Sequence, residues 1–269
     1  MNTRVCAGVL RCALPALVIA AAQAGQARAA DADELAKKLS NPVAALISVP
    51  LQFNHDDGYA NGGRRTTLNI QPVAPFSLST DWNVISRTIL PVAYQKDVIP
   101  GTDQAGIGDI TQSFFFSPKE TGPSGVVWGI GPAILVPTGT DDLGADTWGA
   151  GPTVVLLKQD AGWTYGALMN HIADVAGTGS RRQDISSTFL QPFLSRAYSG
   201  GRTLAFNIES TYDWKASQWT VPLNISYSKV TRLGSQMISY QAGVRAYLDA
   251  PDGGPDWGVR FVVTLLYPK

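Results

Sequence analysis

From Thr203 to Ser228 the chain alternates apolar and polar residues, breaks for a few positions, and alternates again. Leu204, Phe206, Ile208, Tyr212 and Trp214 share one face; Thr203, Asn207, Glu209, Thr211 and Asp213 share the other. A period of two marks a strand, because successive side chains leave on opposite faces. Pairing Trp214 with Trp219 makes this stretch a hairpin. Tyr212 then lies opposite Val221, Ile208 opposite Ile225 and Phe206 opposite Tyr227 on one face. On the other face Asp213 lies opposite Thr220, Glu209 opposite Asn224 and Asn207 opposite Ser226.

The same period recurs in about twelve stretches, near 46–54, 65–74, 82–94, 107–117, 126–137, 147–157, 162–172, 185–195, 203–214, 218–229, 236–248 and 257–267. Most exceed the ~5–6 residues common in soluble sheets and suit tilted, membrane-crossing strands of ~9–11. The links alternate between long (95–106, 138–146, 173–184, 249–256) and short (158–162, 231–235), with 215–218 short where the scheme asks for a long one. Such alternation is typical of outer-membrane barrels. Residues 31–45 read instead as a helix, with Leu35 and Leu39 four apart, acids at its start and Pro42 at its end. It is either a lead-in packed on the domain or a plug entering a pore. Trp128-Gly129-Ile130-Gly131-Pro132 recurs as Trp148-Gly149-Ala150-Gly151-Pro152. Two copies fit adjacent similar strands better than a solenoid.

Alternation does not say which face is wet. A soluble barrel points its apolar side chains inward; a membrane barrel reverses this. Trp82, Trp128, Trp148, Trp163, Trp214, Trp219 and Trp257 all fall on the apolar face near strand ends, as does Tyr267. Rings with a polar atom favour the bilayer interface, and membrane barrels carry two such girdles. The opposite face mixes small residues with Arg87, Asp109, Glu209, Asp213, Arg245 and Arg260, which suits a hydrated lumen better than a solvated exterior. In the last stretch Trp257, Val259, Phe261, Val263, Leu265 and Tyr267 form one face, an aromatic-ended pattern like the insertion signal of such barrels, with Pro268 and Lys269 added. Pro72, Pro91, Pro132, Pro152, Pro192 and Pro222 count against a closed sheet, since each removes a ladder donor; bulges or local openings are required there.

Composition narrows the picture. The formal net charge of +0 leaves no basic footprint for nucleic acid. Arg4, the apolar run near 13–22 and Ala27-Arg28-Ala29 read as a cleaved export signal over 1–29, the alternative being an uncleaved anchor. Both cysteines, Cys6 and Cys12, fall inside it, so the exported chain has no disulfide or thiol metal site. The expected organisation is a signal peptide at 1–29, a short periplasmic helix at 30–45 and an outer-membrane β-barrel at 46–269.

Residues 35 to 269 resemble a family of bacterial outer-membrane transporter-like barrels, associated by name with the phenol meta-degradation pathway and often mislabelled neuromedin U. The resemblance rests on L-S-N-P-V-A-A-L-I-S-V-P-L-Q, I-S-R-T-I-L-P-V-A-Y-Q, G-I-G-D-I-T-Q-S-F-F-F-S-P, W-T-Y-G-A-L-M-N-H-I-A-D, S-T-Y-D-W-K-A-S-Q-W-T-V-P-L-N and W-G-V-R-F-V-V-T-L-L-Y-P-K. It implies location and fold more firmly than substrate, and brings no established binding residues. An aromatic or apolar permeant is implied by the family name alone.

Other chemistries find little support. Some membrane barrels hydrolyse lipids with an outward His-x-Ser pair. His171 has the outward parity, but position 173 is Ala; an interfacial hydrogen-bonded histidine is the simpler reading. His55 with Asp56 and Asp57, and Asp141 and Asp142 with Asp146, lack calcium-loop spacing and read as solvated loops. No phosphate loop or dinucleotide fingerprint is present. The expectation is therefore an all-β transmembrane antiparallel barrel without catalytic residues, cofactor or metal. It sits among outer-membrane lipids, is inserted by the outer-membrane assembly machinery, and passes a small-molecule permeant through a polar lumen. Arg87, Asp109, Glu209, Asp213, Arg245 and Arg260 line that lumen. The alternatives are a closed structural or adhesive barrel and a lipid hydrolase.

Overall fold

The computed structural model describes residues 31–140, 143–177 and 182–268. The signal segment, Asp141 and Asp142 lie outside the described residues. One helix, α1, covers 31–39. Sixteen strand segments follow: β1 (Ile47–Asp57), β2 (Arg64–Ile70), β3 (Val73–Ser77), β4 (Trp82–Lys96), β5 (Asp103–Ile107), β6 (Ile110–Pro118), β7 (Val126–Val136), β8 (Thr147–Asp160), β9 (Trp163–Gly177), β10 (Ser186–Tyr198), β11 (Arg202–Ile208), β12 (Ser210–Asp213), β13 (Gln218–Thr220), β14 (Pro222–Leu233), β15 (Gln236–Tyr247) and β16 (Trp257–Tyr267). β2 with β3, β5 with β6, β11 with β12 and β13 with β14 run end to end, giving twelve staves, one for each stretch of alternation. Every pairing is antiparallel between sequence neighbours, and β1 pairs with β16 from Ile47↔Tyr267 to Asp57↔Trp257, closing the barrel.

The outward face is the apolar one. Phe53, Phe116, Ile130, Leu156, Leu194, Phe206, Ile225, Val244 and Phe261 are all exposed. The eight aromatics of the sequence pattern split between the two ends. Trp82, Trp128, Trp163 and Tyr267 belong to the end carrying the chain termini and the short turns; Trp148, Trp214, Trp219 and Trp257 belong to the end with the longer loops. Trp82 and Trp128 meet edge to face at 5.7 Å, and Tyr212 packs 4.8 Å from both Trp214 and Trp219.

In the hairpin of 203–228 the register differs from the expectation by two residues. Tyr212 pairs with Trp219, Phe206 with Ile225 and Asn207 with Asn224, while Trp214 begins the turn over 214–217. A slip of two keeps every side chain on its expected face, because the strand period is two. Asp213 accepts the N–H groups of Lys215 and Ala216, and Ser217 takes a positive φ of 54°, which together set the four-residue turn one position earlier.

The prolines explain the interrupted staves. Pro72 separates β2 from β3, Pro91 faces the gap between β5 and β6, and Pro192 and Pro222 flank Glu209 between β11 and β12. Glu209 donates its N–H to the Pro222 carbonyl at 3.0 Å, and Pro222 has no N–H to return. The two copies of W-G-x-G-P lie side by side, with Pro132 opposite Pro152. Their missing donors fall where the ladders to β6 and β9 skip two residues. A side chain on Gly131 would overlap the Phe114 carbonyl oxygen at 2.0 Å, and one on Gly151 the His171 carbonyl oxygen at 1.8 Å. Proline opens the ladder and glycine lets the neighbouring strand stay close. Local opening therefore accounts for these positions; among the described residues the strand register shifts at Trp148/Gly149.

Candidate functional site

The inner face divides into two unlike halves. From β4 to β10 it holds an apolar patch beside small polar residues: Ile85, Phe115, Val155, Leu157 and Leu168 are buried together with Val43, with Val127, Phe189, Phe193 and Val73 of β3 packed around them, and Ser113, Thr153, Thr164 and Ser195 are buried too. From β11 through β16 to β1 it is polar, with Asn54, Asp56, Asn224, Ser226, Ser239, Arg245, Arg260 and Thr264 all buried. An inner face of small and charged residues was expected; β6 to β9 also carry large apolar residues on it, so alternation of hydrophobicity is weak there.

The N-terminal segment joins the two halves and fills the terminal mouth. α1 stops at 39, earlier than expected, because Asn41 precedes Pro42 and is kept out of helical geometry. Ala32, Leu35, Ala36 and Leu46 pack on Val230, Met237 and Leu266 of the inner wall. Gly201 donates to Asp33 Oδ1 at 2.6 Å and Gln159 Nε2 to the Lys37 carbonyl at 2.9 Å, so two separate points of the wall hold the segment. Beyond Pro42 the chain inserts Val43 into the apolar half. Of the two arrangements expected from sequence, the segment adopts the one inside the barrel.

Above it a charged cluster bridges several staves. Arg260 grips Glu209 through two parallel bonds of 2.8 Å and donates from Nε to Asn54 Oδ1 at 2.7 Å. Arg245 lies 3.0 Å from Asp56 and 3.8 Å from Glu209, with the Tyr247 ring 5.4 Å from its guanidinium carbon. Bidentate pairing of this kind is strong and directional. Arg87, on β4, donates to Gln71 Oε1 at 3.1 Å. Thus Glu209, Arg245 and Arg260 are in direct contact, and Arg87 lies close enough to act on the Glu209 charge. Asp109 and Asp213 have other partners. The Asp109 carboxylate accepts from the N–H groups of Gly139 and Ala145, both at 2.8 Å; Asp213 serves its turn. Sequence reading missed Asp56, Asn54, Gln71 and Gln191. Asp56 was assigned to a loop, but β1 runs three residues further than its alternation suggested, to Asp57.

Space remains around the cluster. A cavity of about 270 Å³ lies between α1 and the polar wall, lined by Gln52, Asn207, Ser228, Ser239, Gln241 and Thr264. A second, of about 190 Å³, lies beside Arg87. A vestibule of about 310 Å³ opens at the loop end between Tyr59, Arg65, Tyr247 and the 251–255 loop. Burial pushes the Tyr59 hydroxyl above its usual pKa, against the opposing charge of Arg65. Arg245 Nε and Asn224 Oδ1 are buried with no hydrogen-bond partner among the described residues. Such atoms are ordinarily met by water, consistent with a wet lumen on this side.

The two histidines face outward. His55 Nδ1 is 2.9 Å from Thr66 Oγ1, and His171 Nδ1 is 2.9 Å from Thr188 Oγ1, which also accepts the Trp214 indole N–H at 2.9 Å. His171 is thus tied into the aromatic girdle. Strand alternation splits the His55-Asp56-Asp57 trio, sending Asp56 inward to Arg245. Among the described residues no group of three His, Cys, Asp or Glu could hold a metal ion.

The sequence matches no protein-family model and no curated protein. Among solved structures it is similar to the COG4313 outer membrane channel from Pseudomonas putida F1, with a TM-score of 0.65 at 16% identity, covering 83% of this chain and 96% of that one. The β domain of the Bordetella autotransporter BrkA aligns at 14% identity with a TM-score of 0.42, over 82% of this chain and 99% of that one. The Pseudomonas aeruginosa channel OpdK, solved with vanillate, aligns at 8% identity with a TM-score of 0.27, over 82% and 97% respectively. The first of these likenesses supports the fold alone: a closed antiparallel barrel of twelve staves.

Proposed function

We propose that the chain is a bacterial outer-membrane channel that passes small molecules passively along the polar side of its lumen. The observation that carries this reading is the inversion of the barrel. Its apolar residues and two aromatic girdles face outward, while buried arginines, carboxylates and amides surround cavities within. A bilayer rewards that arrangement and water does not. On this reading residues 1–29 direct export, the assembly machinery inserts the barrel, and the eight Trp and Tyr residues of the girdles sit at the two interfaces. Arg87, Glu209, Arg245 and Arg260 line the constriction; Asp109 and Asp213 act nearer the mouth. The resemblance to phenol-pathway transporter barrels adds small aromatic or apolar compounds as permeants.

The occupied terminal mouth favours a second reading, a closed structural barrel. Two measurements separate them. Outer-membrane fractionation with heat-modifiable gel migration tests the barrel, and recovery as a soluble periplasmic protein would sink it. Planar bilayers then test passage: discrete KCl conductance steps, altered in Glu209→Ala, are expected of a channel, whereas a folded, inserted and silent protein is the closed barrel. Hydrolysis of a thioester lipid analogue that is lost in His171→Ala would instead make the protein an enzyme.

A further inference from the structure

Among the described residues Arg87 is the arginine of the cluster with no carboxylate in direct contact, although the Glu209 charge reaches it from farther off. Arg260 and Arg245 share Glu209, and Arg245 also holds Asp56, so three guanidiniums face two carboxylates. The hydrogen bond from Arg87 to Gln71 uses one of its five N–H donors. No Asp or Glu among the described residues lies within 4.0 Å of it. A lumen cation left one charge ahead of its surroundings is an anion site in waiting, because guanidinium presents paired donors that match a carboxylate.

The space beside it has a definite character. The cavity of about 190 Å³ is bounded by Arg87 and the amides of Gln71 and Gln191, by the apolar Leu39, Pro42, Pro50 and Val73, and also by Lys38, Asn41 and Ser48. Val73 pairs directly with Arg87 across β3 and β4, so an apolar wall adjoins the charge by strand register. The volume falls below the ~300 Å³ at which drug-sized pockets begin. One compact molecule fits, with an anionic head and an apolar body.

We propose that this cavity binds a small monocarboxylate, with its carboxylate on Arg87 and its hydrocarbon body against the hook of the N-terminal segment. Leu39 and Pro42 come from that segment, so the site exists only while the segment occupies the mouth. A bound acid therefore favours the occupied mouth by linkage. The proposal rests on the channel reading for the route of entry alone; binding itself needs no passage.

Benzoate is the probe, titrated calorimetrically into the purified, folded barrel in detergent. Saturable 1:1 binding is expected, weakened at least tenfold in Arg87→Gln, partly kept in Arg87→Lys, and at least tenfold weaker for neutral benzyl alcohol than for benzoate. Val73→Phe, which fills the cavity without touching the charge, is expected to weaken binding too; it keeps the test decisive if Arg87→Gln fails to fold. Wild-type protein that binds no benzoate, or folded Arg87→Gln that binds it equally, overturns the proposal. KCl conductance separates the two ideas. Conductance without benzoate binding removes the site and leaves the channel; benzoate binding in a silent barrel removes the channel and leaves the site.

Discussion

The two halves of the lumen are built from the same strand geometry and solve opposite problems. Between β4 and β10 the inner face holds a small hydrophobic core, closed on Val43 as a soluble domain closes on its centre. Between β11 and β1 the inner face is a hydrogen-bonded wall that leaves room for water or a guest. The first half is stabilised by removing apolar surface from water. The second is held by charge pairs whose desolvation offsets much of their attraction, so it adds shape and selectivity more than stability. One barrel therefore carries a rigid side and a side that can admit a solute. The N-terminal segment sits where they meet and contacts both.

Substitutions that act on one half and spare the other test this division. The largest effect is expected from Val43→Asp. An unpaired carboxylate in the apolar half costs several kcal/mol, which should expel the hook, expose residues 31–46 to protease and raise bilayer conductance severalfold. An unchanged proteolysis pattern would mean the segment is not seated by Val43. Next comes Phe115→Ala, which removes a ring that is 1% exposed. A loss of about 3–5 kcal/mol in urea unfolding of the refolded barrel is expected, with ion selectivity unaltered. Glu209→Gln should do the reverse. A smaller loss, about 1–3 kcal/mol, accompanies a shift toward anion preference in reversal potential, since Arg245 and Arg260 lose their shared carboxylate. If Phe115→Ala changed selectivity as much as Glu209→Gln, the halves would not be separable. The smallest effect is expected on the outside. Trp163→Leu removes the ring 4.9 Å from the Arg196 guanidinium carbon and should cost about 0.5–1 kcal/mol, leaving conductance alone.

Much of the barrel is legible in the chain, residue by residue. The face of β16 that carries Trp257, Val259, Phe261, Val263, Leu265 and Tyr267 is outward, and Arg260 is inward, as their parity requires. The prolines that argue against a closed sheet are reconciled with one by the gaps around Pro132, Pro152, Pro192 and Pro222. The paired W-G-x-G-P stretches are adjacent staves, not a solenoid. The candidate site is legible only in part. Inward parity selects Arg87, Glu209, Arg245 and Arg260, which the structure gathers near one another. It also selects Asp109 and Asp213, because parity records the side of the sheet and not the height along it. Asp56 and Asn54 pass unnoticed because a strand end that carries His, Asp and Asn resembles a loop in composition.

What the sequence determines by itself is whatever has a short period: the number of staves, the face each side chain takes, the aromatic ends, and the places where proline must interrupt a ladder. These follow from neighbours one or two residues apart. The rest is decided in tertiary space. The hairpin slipped by two because either register satisfies alternation equally, and packing of Tyr212 against Trp214 and Trp219 selects one. The filling of one half of the lumen and the salt bridges of the other join residues such as Asp56 and Arg245, 189 positions apart, or Val43 and Phe115. Closure of the barrel brings them together, and no local pattern can encode which inner wall will face which.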